Sequence, residues 1–219
     1  MKTYIVQKNI NNRELVPFLE AAQATSVDLI CFGELATTGL LYFSRKVDPL
    51  ETLVKLLEPY DFAVMIGFPY DSPDGLRNAY LYCHRGKYLT YSKINLFAPM
   101  IEDKLFRPGS EPGLWKTDIG SVGVAICYDL RFPGIFNNLK RMGAERIFVP
   151  AAFPRVRIND WRRLLIERAV ENAVQMIGIN AVGDDGTNEF GGSSMVVAPD
   201  GRVIVEADQT SETVLEVQL

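Results

Sequence analysis

Residues 121–133 read SVGVAICYDLRFP. The run from Ser121 to Ile126 has the composition of a buried strand and ends at Cys127. A helical pattern from about Pro133 to Met142 then leads to the strand-like run Arg146 to Val149. This is a strand, turn, helix, strand unit, so the chain must bend sharply just after the sulfur. Such a bend has the geometry of a nucleophile elbow. There the side chain stands exposed above the sheet, and the backbone N–H of the next residue, here Tyr128, can face a developing oxyanion. The competing reading is a structural cysteine, because free cysteine is among the most buried residue types.

On both sides of this unit short strand-like runs alternate with helical patterns, which argues for a layered α/β or α+β domain. Upstream, Thr3 to Gln7, Val27 to Phe32, Phe62 to Phe68, Arg77 to Cys83 and Lys87 to Ser92 read as strands. The last two form a hairpin around His84-Arg85-Gly86, with His84 an exposed turn residue. Asn11 to Thr25 reads as a helix with Pro17 near its first turn. A second helix opens at Asp48-Pro49-Leu50-Glu51, where Asp48 would cap, Pro49 take the first helical position and Glu51 complete a capping box. Gly33 to Leu40 and Ile94 to Pro112 are loops. Downstream, Asp160 to Gln175 is an amphipathic helix with Trp161, Leu164, Leu165, Ala169, Ala173 and Val174 on one stripe. Strands near Ile177 to Val182, Ser194 to Ala198, Val203 to Glu206 and Val214 to Leu219 complete the chain. About ten short strands and four helices predict two sheets packed face to face with helices outside.

A chain of 219 residues suits one domain, 1–219, and 47% hydrophobic with 23% charged residues excludes disordered and coiled-coil classes. Lys plus Arg number 23 and Asp plus Glu 27, giving a net charge of -4 and no basic run able to neutralise several phosphates, so nucleic acid is not the expected partner. Three cysteines, Cys31, Cys83 and Cys127, with no C-x-x-C pair, point to a reducing compartment. Without a signal-like opening or a long apolar stretch, a cytoplasmic location away from membranes is expected. With one histidine, His84, neither a zinc site nor a Cys-His pair is readily assembled, so a general base would be a carboxylate or a lysine. Asp184-Asp185-Gly186 lacks the ligands of a calcium loop and reads as a turn.

A cysteine nucleophile has an ordinary pKa of about 8.5 and needs a base beside it at neutral pH. Glu34 follows the apolar run VDLICF, and Lys93 closes the run Lys87 to Ser92; each alone would read as a solvated strand end. Together, Phe32-Gly33-Glu34-Leu35, Tyr91-Ser92-Lys93-Ile94 and Ile126-Cys127-Tyr128-Asp129 resemble the Glu-Lys-Cys triad of the nitrilase superfamily of carbon–nitrogen hydrolases. Further motifs follow in that family's order. Glu102 lies four positions before Phe106-Arg107-Pro108-Gly109, and Trp161 to Asn172 is similar to the family's helix. Asn180-Ala181-Val182-Gly183, Gly191-Gly192-Ser193-Ser194 and Pro199-Asp200-Gly201 come after it. Asp160 stands before Trp161 where many members carry histidine.

The resemblance implies a four-layer αββα sandwich of two mixed sheets, no metal, no organic cofactor, and at least a homodimer. It implies that Cys127 attacks an amide carbon, that Glu34 moves protons, that Lys93 and the Tyr128 N–H hold the oxyanion, and that Glu102 holds Lys93 or the substrate nitrogen in position. It also implies a pocket wall at Ala151-Ala152. The segment Cys127 to Pro133 looks most like the omega-amidase branch, whose substrates are ω-amides of dicarboxylic acids. A distal carboxylate would need a cation, for which Arg131, Arg155 and Arg157 are the candidates. A nitrilase, an N-carbamoyl amidohydrolase and a catalytically silent scaffold are the alternatives.

Overall fold

A computed structural model of the protein describes residues 1–40 and 47–219. Five strands follow one another in the first half of the chain: β1 (Lys2–Gln7), β2 (Leu29–Phe32), β3 (Ala63–Ser72), β4 (Gly75–His84) and β5 (Lys87–Ser92). The second half supplies β6 (Gly113–Thr117), β7 (Gly120–Val124), β8 (Arg146–Pro150), β9 (Gln175–Ile179), β10 (Val182–Asp184), β11 (Glu189–Gly191), β12 (Met195–Val197), β13 (Val203–Glu206) and β14 (Thr213–Gln218). One six-stranded sheet has the order β14-β1-β2-β3-β4-β5 and the other β13-β12-β9-β8-β7-β6, with β10 and β11 a separate ribbon. Both sheets are mixed, with parallel centres (β1, β2, β3 and β7, β8, β9) and antiparallel flanks.

The period-2 alternation of side chains explains why the central strands are apolar throughout. Ile5, Leu29, Cys31, Ala63, Met65, Tyr80 and Tyr82 pack in one cluster with Val122, Val124 and Phe148 of the second sheet. Their neighbours Val6, Ile30, Phe32, Val64, Ile66 and Leu81 face the other way, onto Leu19 and Ala22 of α1 (Val16–Ala24) and Leu50, Leu53 and Leu57 of α2 (Leu50–Leu57). A four-residue helix α3 (Glu102–Leu105) lies between the sheets in sequence. On the far side α4 (Pro133–Arg141) and α5 (Ile158–Asn172) cover the second sheet. Gly178 of β9 has no room for a Cβ beneath Leu165 and Trp161, which brings α5 close against the strand. The layers are therefore helix, sheet, sheet, helix.

Several boundaries depart from the sequence reading. The first helix begins at Val16, not Asn11, because Pro17 belongs in its first turn and the preceding residues are held by other partners: Ile10 N–H donates to the Val182 carbonyl. The capping box at Asp48 does not form; Pro49 is itself the N-cap residue and no side chain caps α2. The long loop contains a 3-10 turn (Ala98–Met100) and α3, and the short strand β6 after it carries Lys116 among apolar neighbours, which hid it. The expected strand from Ile177 to Val182 divides into β9 and β10. Ala173 ends α5 in a left-handed conformation (φ 46°) and is exposed, so it does not belong to the buried stripe.

Candidate active site

Each charged residue of the site sits where a core strand of the first sheet, or the loop beyond it, leaves the interior. Glu34 follows β2 in a turn in which Leu35 has φ 48°. That turn lies on Gly67 of β3, whose N–H donates to the Gly33 carbonyl at 3.1 Å. Lys93 follows β5; its N–H donates to the Asn78 carbonyl and its own carbonyl accepts from Gly109 N–H, both at 2.8 Å. A Cβ on Gly109 would lie 2.2 Å from the Ser92 carbonyl oxygen, so the Phe106-Arg107-Pro108-Gly109 turn packs directly on the backbone that presents Lys93. Glu102 is the first residue of α3, and its Oε2 accepts from Phe97 N–H at 2.6 Å.

Cys127 adopts φ 47°, a left-handed conformation unusual for a residue with a Cβ, between the end of β7 and a 3-10 turn (Cys127–Arg131). The buried Asp129 holds the bend. Its Oδ2 accepts from Ile126 N–H at 3.0 Å and from the Tyr91 hydroxyl at 2.9 Å. Its Oδ1 accepts from the N–H and side-chain amide of Asn95 at 2.8 and 2.9 Å. Arg168 of α5 adds a bond from Nε to the Leu130 carbonyl at 3.2 Å. The elbow of the sequence reading is present, with one correction. The thiol is not exposed above the sheet: Cys127 is only 9% accessible, because it faces a pocket roofed by the neighbouring loops.

Lys93 Nζ is the centre of the polar cluster. It donates to Glu34 Oε1 at 2.8 Å and to Glu102 Oε1 and Oε2 at 2.9 and 2.7 Å. Asn78 Nδ2 donates to the same two carboxylates, at 2.7 Å to Glu34 Oε1 and 3.0 Å to Glu102 Oε1. Glu34 Oε2 accepts from Ala152 N–H at 2.9 Å. Burial alone would lower the Lys93 pKa, but Glu34 and Glu102 outweigh it and hold the ammonium well above the ordinary lysine value. Burial raises the Glu102 carboxyl although it faces an ammonium, since Lys93 is shared with a second carboxylate. Burial, then the Glu34 charge, pushes the Cys127 thiol well above its usual range, against an opposing pull from Lys93.

Ala152 lines the pocket through the N–H that Glu34 accepts, whereas Ala151 N–H is committed to the Ile179 carbonyl at 2.8 Å and Ala151 does not line it. The loop carrying both is fixed by buried Asn180, which accepts from Phe153 N–H at 2.7 Å and donates to the Gly192 carbonyl at 2.7 Å. The Tyr128 ring lies 4.9 Å from that of Phe97, a pocket residue. Arg131 pairs with Asp160 at 2.9 Å, which gives the aspartate before Trp161 a structural partner. His84 is not a free turn residue: it ends β4, half-buried, with Nδ1 bonded to Asp118, beside a roomier cleft that contains neither Cys127 nor any of its partners. Sequence reasoning missed Asn78 and Phe97, and it quoted Asp129 and Asn180 within motifs without giving either a role. Asn78 left one signal, an uncharged polar residue before the apolar run Ala79 to Cys83.

Among the described residues no group of three or more His, Cys, Asp or Glu is placed to hold a metal ion, and no helix is long and apolar enough to cross a membrane. A thiol on a left-handed bend, with a carboxylate and an ammonium in place of an imidazole, is the equipment of nucleophilic acyl transfer. The chain matches the carbon-nitrogen hydrolase family over residues 3–219 and belongs to it. It is 38% identical over 116 residues to a 2-oxoglutaramate amidase of Bacillus subtilis, a match spanning 53% of this chain and 45% of that protein. With the protein called hydrolase in agr operon of Staphylococcus aureus it shares 29% identity over 219 residues, covering 92% of this chain and 82% of the relative. An amidase structure from Nesterenkonia sp. AN1 has the same fold, with a TM-score of 0.89 at 24% identity over 100% of this chain and 93% of that one.

Proposed function

We propose that the protein is an amidase that releases ammonia from a small linear amide through a thioester on Cys127. The observation that carries this reading is the buried Lys93 ammonium bridging Glu34 and Glu102 in the wall of the pocket that holds the thiol. Glu34 Oε1 is occupied by Lys93 and Asn78, so Oε2, held by one backbone N–H, retains a lone pair for the thiol proton. Cys127 Sγ attacks the amide carbon as that proton passes to Glu34. The oxyanion is met by Lys93 and by the Tyr128 N–H, one of the donors left free at the start of a helical turn. Collapse breaks the C–N bond, and the proton on Glu34 leaves with ammonia. Water then gives a proton to Glu34 and attacks the thioester, and the thiol departs with its proton restored. Burying two carboxylates and one ammonium is costly in a protein that only binds, which argues against the scaffold reading.

The favoured substrate is the ω-amide of a dicarboxylic acid. The 38% identity to a protein named 2-oxoglutaramate amidase supports it, as does the exposed Arg157 in the loop after β8. An ammonia-release screen over succinamate, glutaramate, their 2-oxo forms, aliphatic amides, nitriles and N-carbamoyl amino acids tests it. Dicarboxylic monoamides should have the highest kcat/KM, and uncharged amides ranking first would sink the substrate while leaving the amidase. Cys127→Ala should abolish turnover with the fold retained, and Glu34→Gln and Lys93→Ala should each lose at least about 100-fold in kcat. Near-normal rates for Lys93→Ala would remove it from the mechanism. The enzyme should also be a homodimer, which light scattering at twice the chain mass would bear out and a monomer-only profile would contradict.

A further inference from the structure

Three arginines stand in the loops beyond the thiol, and two of them are already neutralised. Arg131 pairs with Asp160 at 2.9 Å and lies over the Phe153 ring. Arg155 faces Glu189 at 3.1 Å and donates from Nη2 to the Gln209 carbonyl at 2.9 Å. Arg157 is exposed and has no carboxylate partner among the described residues. Its guanidinium lies over the Phe97 ring, 5.3 Å from the centroid. That ring lines the pocket together with Cys127, and Glu102 fixes its backbone through the Phe97 N–H. An aromatic face orients a guanidinium without cancelling its charge.

The rest of the pocket dictates where a second charge on the substrate can go. Its depth holds two carboxylates to one ammonium, Glu34 and Glu102 against Lys93, so an additional anion there would be repelled. Its wall is otherwise largely apolar, with Leu35, Met100, Leu105 and Phe106, which suits methylenes rather than charge. Resting on the amidase reading above, we infer that Arg157 is the specificity-determining residue that receives the distal carboxylate of a dicarboxylic monoamide. The amide carbon lies at Cys127, the methylenes lie along the apolar wall, and the carboxylate reaches the guanidinium over Phe97. Arg131 and Arg155 take no part in selection.

The test compares kcat/KM for glutaramate with that for valeramide, which has the same chain length and a methyl in place of the carboxylate. In Arg157→Gln the glutaramate value should fall by about 30-fold, chiefly through KM, while the valeramide value changes far less. Arg157→Lys should recover part of the loss, and Arg157→Glu should reverse the order of the two substrates. Arg131→Gln and Arg155→Gln should leave the ratio near that of the wild type. A wild-type preference for glutaramate that survives Arg157→Gln, or that moves with Arg131→Gln instead, overturns the assignment of Arg157 alone. A wild-type preference for valeramide overturns the dicarboxylic substrate and this inference with it, and no turnover of either amide overturns the amidase reading beneath both.

Discussion

Cys127 is pulled two ways. The left-handed bend and the pocket make it available for attack, yet burial and the Glu34 charge push its pKa well above the ordinary thiol range, with Lys93 opposing them incompletely. A raised pKa means the proton-bound form persists to higher pH, so the proposed mechanism requires Glu34 to act as base within each turnover. Ultraviolet difference titration against Cys127→Ser should show no thiolate absorbance from this residue, near about 240 nm, below about pH 9. A thiolate already present at about pH 7 would show that Lys93 wins, and Glu34 would lose its role in the first proton transfer. Glu34, Lys93 and Cys127 were legible only together, through the family resemblance of the three motifs that carry them, because each alone reads as a solvated strand end or a buried thiol. Asn78 was not, although it donates to both glutamates, because an isolated asparagine within a strand has no pattern of its own. Its role comes from β5 bringing Lys93 beside it, through the bond from Lys93 N–H to the Asn78 carbonyl.

Elements, rather than side chains alone, set the position of Glu34. A Cβ on Gly67 would lie 2.4 Å from both the Gly33 carbonyl oxygen and the Leu35 nitrogen, and 2.7 Å from the Glu34 Cα. All three are backbone atoms with no rotamer to change, so Gly67→Ala must displace the turn after β2 from β3. A shift of about 1 Å at a reacting group can cost about 100-fold in rate, and kcat should fall by that order together with a lowered melting temperature. Gly134 is the contrast: nothing described lies within 4 Å of its added Cβ, so Gly134→Ala in α4 should leave activity intact and match or exceed wild-type stability. Wild-type kcat in Gly67→Ala would show that the β2 turn is not held by this contact. Elements with a strong local signal were legible, as with the continuous apolar run of β2 and the helical stripe of α5. Those decided by distant partners were not: β6 exists because β7 pairs with it, and the first helix starts late because the segment before it bonds to β10.

The whole molecule closes through its last strand. The two-sheet, helix-flanked architecture could be read from alternating runs, but nothing local showed that Thr213–Gln218 pairs antiparallel with Lys2–Gln7 at the opposite end of the chain. The segment before it is tied to the same region: Gln7 Nε2 donates to the Asp208 and Ser211 carbonyls at 2.8 and 3.0 Å, and Asn9 N–H donates to Glu212 at 2.8 Å. Alternation along β14 puts Leu215 and Val217, with Leu219 just beyond the strand, against the core between the sheets and leaves Val214 and Glu216 in solvent. Each inward side chain contributes up to about 1.5–3 kcal/mol if fully covered. Val217 is buried and Leu215 and Leu219 are partly covered, so together they contribute less than three full burials but still a sizeable part of a typical total stability of about 5–15 kcal/mol. Removal also strips β1 of its antiparallel partner, exposing an unpaired edge beside the strand that leads to Glu34. A chain ending at Glu212 should therefore lose its cooperative thermal transition, bind a hydrophobic dye and show no amidase turnover. A melting temperature within a few degrees of the full chain would show instead that β1, β2 and β3 form the sheet without the closing strand.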